Sequence, residues 1–65
     1  MTIETRTLRN GITVLARRNK LDADMLLPVT YANRKQAYAK QDQLREAGID
    51  CAVIQHGRPF LVKIN

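Results

Sequence analysis

The sequence is poor in the residues that build cross-links, metal sites and membrane spans. It has one cysteine, one histidine and no tryptophan. No apolar run comes near the roughly 20 residues that cross a bilayer as a helix, and the polar-apolar alternation at the start is unlike a signal peptide. A lone cysteine excludes an internal disulfide and favours a reducing compartment, so we expect a cytoplasmic protein. These absences predict one soluble domain, residues 1–65, with no membrane contact.

The same scarcity argues against an enzyme. A nucleophilic cysteine needs a base within hydrogen-bond reach, but Cys51 lies in a predicted strand and His56 in the turn after it. Asp22 and Asp24 have the spacing that opens a calcium loop, yet the further oxygen ligands of such a loop do not follow. We therefore expect no catalytic residue, no metal, no cofactor and no small-molecule substrate.

Basic residues, in contrast, are plentiful. Eleven lysines and arginines against six acidic residues give a net charge of +5, and five of the eleven lie in the first 20 residues. This excess favours anionic partners, although it does not bear on the fold. The candidate contacts to nucleic acid or another anion are Arg6, Arg17, Arg18, Lys20, Arg34 and Lys35.

A two-residue turn at Asn10-Gly11 is the strongest hairpin signal, because both central residues of a type I′ turn need a positive φ. This register places Leu8 opposite Thr13 and divides the hairpin into two faces. One face carries Ile3, Thr5, Thr7, Ile12, Val14 and Ala16, and the other carries Glu4, Arg6, Leu8, Thr13, Leu15 and Arg17. Leu8 and Leu15 then fall on the reverse face, away from the helix.

The second turn signal is His56-Gly57, which places Val53 opposite Phe60. The apolar residues then share one face, a pattern that a one-residue slip would scatter. That face carries Ile49, Cys51, Val53, Phe60, Val62 and Ile64. The reverse face keeps Ala52, Ile54 and Leu61.

Between the hairpins the pattern predicts a helix from Arg34 to about Ala47. Asn33 is the expected N-cap, with Thr30 as an alternative that starts the helix earlier, and Gly48 is the expected C′ residue. The predicted core-facing stripe is Ala37, Leu44 and Ala47.

The segment 18–29 is too apolar for a free loop, since it holds Leu21, Met25, Leu26 and Leu27. We expect it to lid the edge of the core or to cover the reverse sheet face. The whole pattern predicts an α+β domain of order β-β-α-β-β, an antiparallel sheet of two hairpins with one helix packed on one face. The strand order between the hairpins stays open.

Apolar side chains on the reverse face predict a contact surface. The candidate protein-contact residues are Leu8, Leu15, Ala52, Ile54 and Leu61. Proteins that read single-stranded nucleic acid on a sheet stack bases on aromatic side chains, and this register leaves that face without one. We therefore predict a non-enzymatic binding module that contacts a protein partner or a second copy of itself. A small DNA- or RNA-binding accessory protein is the alternative.

The chain resembles small uncharacterised proteins encoded by bacteriophages and prophages in Leu8-x-Asn10-Gly11, residues 30–37 and Gly57-Arg58-Pro59-Phe60. The resemblance implies a bacterial cell and an accessory protein that acts on a host component, but no known activity and no functional residues. The helix start is also similar to the arm-binding domains of phage-type integrases, which place a three-stranded sheet on DNA. The second hairpin departs from that pattern.

Overall fold

The computed structural model describes residues 3–65, which form one antiparallel sheet and one helix. The elements are β1 (Thr5–Thr7), β2 (Thr13–Arg18), β3 (Leu26–Pro28), α1 (Arg34–Glu46), β4 (Cys51–Gln55) and β5 (Phe60–Ile64). The predicted α+β class, with two hairpins flanking one helix, is confirmed. One strand is added to the predicted order, because β3 forms within the segment that the sequence pattern assigns to a covering loop.

β2 holds the sheet together because it pairs with three other strands. The order along the sheet is β1-β2-β5-β4, and β3 pairs with the second half of β2. Val14 pairs with Lys63 of β5, whereas Ala16 pairs with Pro28 of β3. The two halves of β2 therefore have different neighbours.

β1 and β3 lie along opposite edges of β2. The peptide between Leu15 and Ala16 donates its N–H to Glu4 O and accepts at its C=O from Val29 N, both at 2.9 Å. The N–H and C=O of a trans peptide point in opposite directions, so the two neighbouring segments are on opposite sides. β3 thus shares with β5 the edge of β2 that β1 does not use.

The three strands β1, β2 and β3 curl toward the face that carries Val14. Arg6 pairs with Val14 and so shares its face, and its Nη1 donates across β2 to Leu26 O at 3.1 Å. This curl buries Val14 completely and leaves Ala16 7% exposed. The reverse side of the sheet therefore has a small core of its own, without a helix.

The first hairpin is one residue out of the predicted register. Thr7 pairs with Thr13, because the loop has three residues rather than two. The Gly11 N–H donates to Leu8 O at 3.0 Å, and Gly11 is the loop residue with a positive φ (86°), the geometry of a type I turn closed by a left-handed glycine. The slip exchanges the predicted faces of β2, so Leu15 lies on the helix side.

The second hairpin is two residues out of register, a shift that preserves its faces. Val53 pairs with Val62, and the loop is Gly57-Arg58 rather than His56-Gly57. Gly57 has a φ of 70°, which suits the first central position of a type II′ turn. The predicted apolar face of this hairpin is confirmed, since Cys51 and Val62 are fully buried.

The helix begins and ends as the sequence predicts. The Asn33 side chain caps the N-terminus by accepting a hydrogen bond from Lys35 N at 2.8 Å, so Thr30 is not the cap. At the other end, Gly48 has a φ of 87°, and Ile49 N donates to Leu44 O at 3.0 Å, the longer bond of a Schellman motif.

The main core lies between α1 and the strands β4 and β5 on which it packs. Its buried members are Leu15, Leu44, Cys51 and Val62, bordered by Ile3, Val29, Tyr31, Ile49 and Ile64. Ala37 and Gln41 complete the buried helix face, whereas Ala47 is exposed because the helix has ended there. The predicted burial of segment 18–29 is also only partial: β3 is half-buried, but Leu21 is 96% exposed.

Leu44→Ala should lower the free energy of unfolding by about 2–4 kcal/mol, because it removes the one large aliphatic side chain of the buried helix face. Urea unfolding followed by circular dichroism measures the change. Leu21→Ala is the matched control and should stay within about 0.5 kcal/mol of the wild type, since Leu21 is almost fully exposed. Equal effects from the two substitutions would contradict the assigned helix face.

Candidate functional site

β4 is a free edge of the sheet. It ends the strand order, and β5 is its one partner within residues 3–65. Asn65 N donates to Asp50 O at 3.1 Å, a hydrogen bond between the two arms of this hairpin. The backbone groups of the even-numbered residues on the β4 arm therefore point toward β5. Because backbone groups alternate between the two edges of a strand, the N–H and C=O groups of Cys51, Val53 and Gln55 point outward.

The strand at this edge lacks the features that usually protect one. Natural edges carry charged side chains, proline or bulges that discourage pairing with another chain. β4 reads Cys-Ala-Val-Ile-Gln, without charge, proline or glycine. Its five residues pair continuously with β5, so the strand is regular along its length. It is therefore suited to accept a further strand from outside.

One outward carbonyl of β4 already has a partner from the helix. Arg45 donates to Cys51 O from Nε at 3.2 Å and from Nη2 at 3.0 Å. The Gln41 side chain, oriented with its amide oxygen toward the guanidinium, accepts from Arg45 Nη2 at 2.8 Å. The part of the chain that the structure describes supplies no comparable partner for the N–H or C=O of Val53. The edge is thus capped at its start and open at its centre.

Three of the five predicted contact residues adjoin this edge. Ile54 pairs with Leu61, and Ala52 shares their face because side chains two residues apart point the same way. Leu61 is buried, whereas Ala52 and Ile54 are half-buried. Leu8 is half-buried at the first hairpin. The predicted position of Leu15 on this face is wrong. The one-residue slip of the first hairpin places Leu15 in the core on the helix side.

Two of the six predicted anion contacts make hydrogen bonds within the fold. Arg6 donates to Leu26 O, as described above. Arg18 donates from Nε to Glu4 Oε1 at 2.5 Å and from Nη1 to Ala23 O at 2.7 Å. Arg6 thus connects β1 to β3, and Arg18 connects β2 to Glu4 and to the β2–β3 loop, so each guanidinium has a role within the fold.

The other four predicted anion contacts are exposed and lie on separate elements. Arg17 is in β2 and Lys20 follows it, whereas Arg34 and Lys35 open α1. The Arg34 guanidinium carbon lies 5.8 Å from the centre of the Phe60 ring, within range of a cation–π contact. The structure therefore divides the predicted basic surface into two groups with different surroundings.

The candidate catalytic residues Cys51 and His56 differ in burial and lie on different elements. Cys51 is fully buried with its thiol 3.6 Å from Gln41 O, while His56 is exposed in the β4–β5 loop. Asp22 Oδ1 accepts from Asp24 N at 3.1 Å, which builds a local turn. Among residues 3–65 no group of three His, Cys, Asp or Glu side chains is placed to hold a metal ion.

A cleft of about 390 Å³ opens beside the helix, and no sequence motif predicts it. Its apolar lining residues are Ile3, Leu15, Ala16, Val29, Tyr31 and Leu44. Burial raises the pKa of the Tyr31 phenol above its ordinary value of 10.0, because desolvation penalises the phenolate. The Tyr31 phenol therefore holds its proton to a higher pH than a fully solvated phenol does.

Comparison with known proteins gives no match: no family model, no curated protein and no solved structure proves similar to this chain. Across residues 3–65, no helix has both the length and the apolar character that crossing a membrane requires.

Tyr31→Phe should reduce the loss of stability at alkaline pH. A phenol whose pKa is raised on folding contributes stability that is fully present below its unfolded pKa of 10.0 and is lost as the pH rises through the folded value. We expect the wild-type free energy of unfolding to fall above about pH 10 and to fall less in the variant. Urea unfolding at stepped pH measures this. Tyr38→Phe is the control, since that ring is half-exposed on α1; equal pH slopes for the two variants would contradict the role of Tyr31.

Proposed function

We propose that this chain is a small, non-enzymatic protein-binding module that pairs with a second copy of itself along β4. The observation that carries the proposal is the uncharged free edge with an open centre at Val53. Pairing there satisfies backbone groups that otherwise depend on water, and it extends the sheet from one molecule into the next. The function of such a module is recognition rather than chemistry.

A two-fold axis beside Val53 gives the simplest geometry for this pairing. Identical edges related by such an axis run antiparallel, and the same surface serves both subunits. Val53 then pairs with Val53 of the second copy, and Cys51 pairs with Gln55 of the second copy. Both are hydrogen-bonded pairs, because the backbone groups of these residues point outward. Ala52 and Ile54 become cross-strand neighbours, which joins the two half-buried apolar patches into one.

Arg45 tunes this pairing because it competes for Cys51 O. Its guanidinium already donates two hydrogen bonds to that carbonyl. In the proposed two-fold pairing, the Gln55 N–H of the second copy donates to the same Cys51 carbonyl. The arginine therefore has to share the oxygen or move away. Its presence weakens the dimer and so discourages edge pairing.

Nucleic-acid binding is the second candidate, and the net charge of +5 favours it. It has less support than edge pairing, because Arg6 and Arg18 are engaged within the fold. The remaining four cations are divided between the end of β2, with Lys20 just after it, and the start of α1. A bacteriophage or prophage origin and a cytoplasmic location stay predictions from the sequence.

Val53→Pro should raise the dissociation constant of the dimer by more than about tenfold, as measured by sedimentation velocity over a range of concentrations. Proline removes the outward N–H at the centre of the edge. It leaves the ladder to β5 intact, because the Val53 N–H does not take part in it. The folded state of the variant is checked by circular dichroism.

Thr7→Pro is the matched control for the opposite edge of the sheet. Leu8 N donates to Ile12 O and Ala16 N to Glu4 O, so the even-numbered residues of this hairpin arm bond to β2 and the Thr7 N–H points outward. The substitution should leave self-association unchanged. A wild-type chain that stays monomeric at high concentration, or equal losses from both proline variants, would sink the proposal.

Arg45→Met should tighten the dimer by about threefold to tenfold, because it keeps an apolar stem on the helix while removing the guanidinium that occupies Cys51 O. The same sedimentation experiment measures it. Lys35→Met on the same helix removes one positive charge without touching β4 and serves as the control. An Arg45 variant that associates no better than the Lys35 variant shows that this carbonyl lies outside the interface.

A further inference from the structure

The cleft beside α1 exists because the helix covers only part of the sheet. α1 packs on β4 and β5, whereas Leu15 of β2 and Ile3 before β1 continue the same apolar face past the helix. Val29 and Leu44 also line the cleft. The resulting volume of about 390 Å³ falls within the range of small-molecule sites in proteins. The floor is apolar and suits a hydrocarbon or aromatic body.

The rim of the cleft is positively charged. Arg17, Arg18 and Lys40 border it, with Glu4 as the one acidic side chain among its lining residues. Glu4 is paired with Arg18, the one ion pair that residues 3–65 form. Lys40 donates to the neutral amide of Gln43 at 3.2 Å, and no carboxylate of the described chain pairs with Arg17. Two cations therefore stand beside an apolar floor without a counter-charge.

We propose that this cleft binds a small amphipathic anion, a carboxylate carried on an apolar body such as a fatty-acid chain. The body occupies the floor between Leu15 and Leu44, and the carboxylate meets Arg17 and Lys40 at the rim. Charge complementarity favours this class of ligand. A neutral apolar ligand leaves Arg17 and Lys40 without a counter-charge, and a hydrophilic anion leaves the apolar lining exposed to water.

The test uses the full chain and decanoate, below its micelle-forming concentration, with decanol as the uncharged probe of the same length. Isothermal titration calorimetry gives the affinity, and amide chemical shifts locate the ligand. Decanoate should bind at least about tenfold more tightly than decanol, with the largest shifts at Leu15, Val29 and Leu44.

Two substitutions at the rim and one elsewhere complete the experiment. Arg17→Gln and Lys40→Gln should each weaken decanoate binding by about fivefold to tenfold. Lys35→Gln removes the same charge from α1 outside the cleft and should change nothing. Equal binding of decanol, shifts elsewhere than the cleft, or an equal loss in Lys35→Gln would overturn the proposal. The cleft does not include β4, so Val53→Pro should retain decanoate binding, and either proposal can fail without the other.

Discussion

The structure depends on the burial of both faces of β2. Val14, Leu15 and Ala16 are consecutive and all buried, although in an antiparallel sheet consecutive side chains point to opposite faces. Leu15 is covered from the helix side by the main core. Val14 and Ala16 are covered because β1 and β3 curl over them. The small Ala16 side chain allows the close approach, and Arg6 fixes it with a hydrogen bond across β2. β2 accordingly pairs with three strands, β1, β3 and β5.

Local signals predict the elements better than they predict the register. Asn33 and Gly48 define the helix because capping and left-handed geometry are properties of a few adjacent residues. Asn10-Gly11 is also a correct turn signal, but it is compatible with a two-residue loop and with a three-residue loop closed by glycine. The choice between them decides which of Val14 and Leu15 faces the helix. Both are apolar, so the pattern of β2 alone does not distinguish the two registers.

β3 and the cleft could not be predicted from the sequence, for a different reason. β3 has three residues and ends in Pro28, so it shows no alternation, and it becomes a strand because the second half of β2 is left without a neighbour by β5. The cleft depends on the lateral position of α1 on the sheet, which is a tertiary property. The sequence predicts that Ala37 and Leu44 are buried, but not which strands they meet. The contact of Arg45 with Cys51 O could not be predicted either, because it depends on a strand edge that exists only in the assembled sheet.

The open edge and the cleft have a common cause in the width of a single helix. An α-helix with its side chains is about 10 Å wide, and neighbouring strands lie about 4.8 Å apart, so one helix covers about two strands. Here α1 covers β4 and β5. The strands on the other side of β5 then leave an apolar face uncovered, and within residues 3–65 no further strand pairs with β4. Within residues 3–65 both places are left to water or to partners, and their chemistry differs. A second strand satisfies an edge of backbone groups, whereas an apolar anion satisfies a cleft with a basic rim.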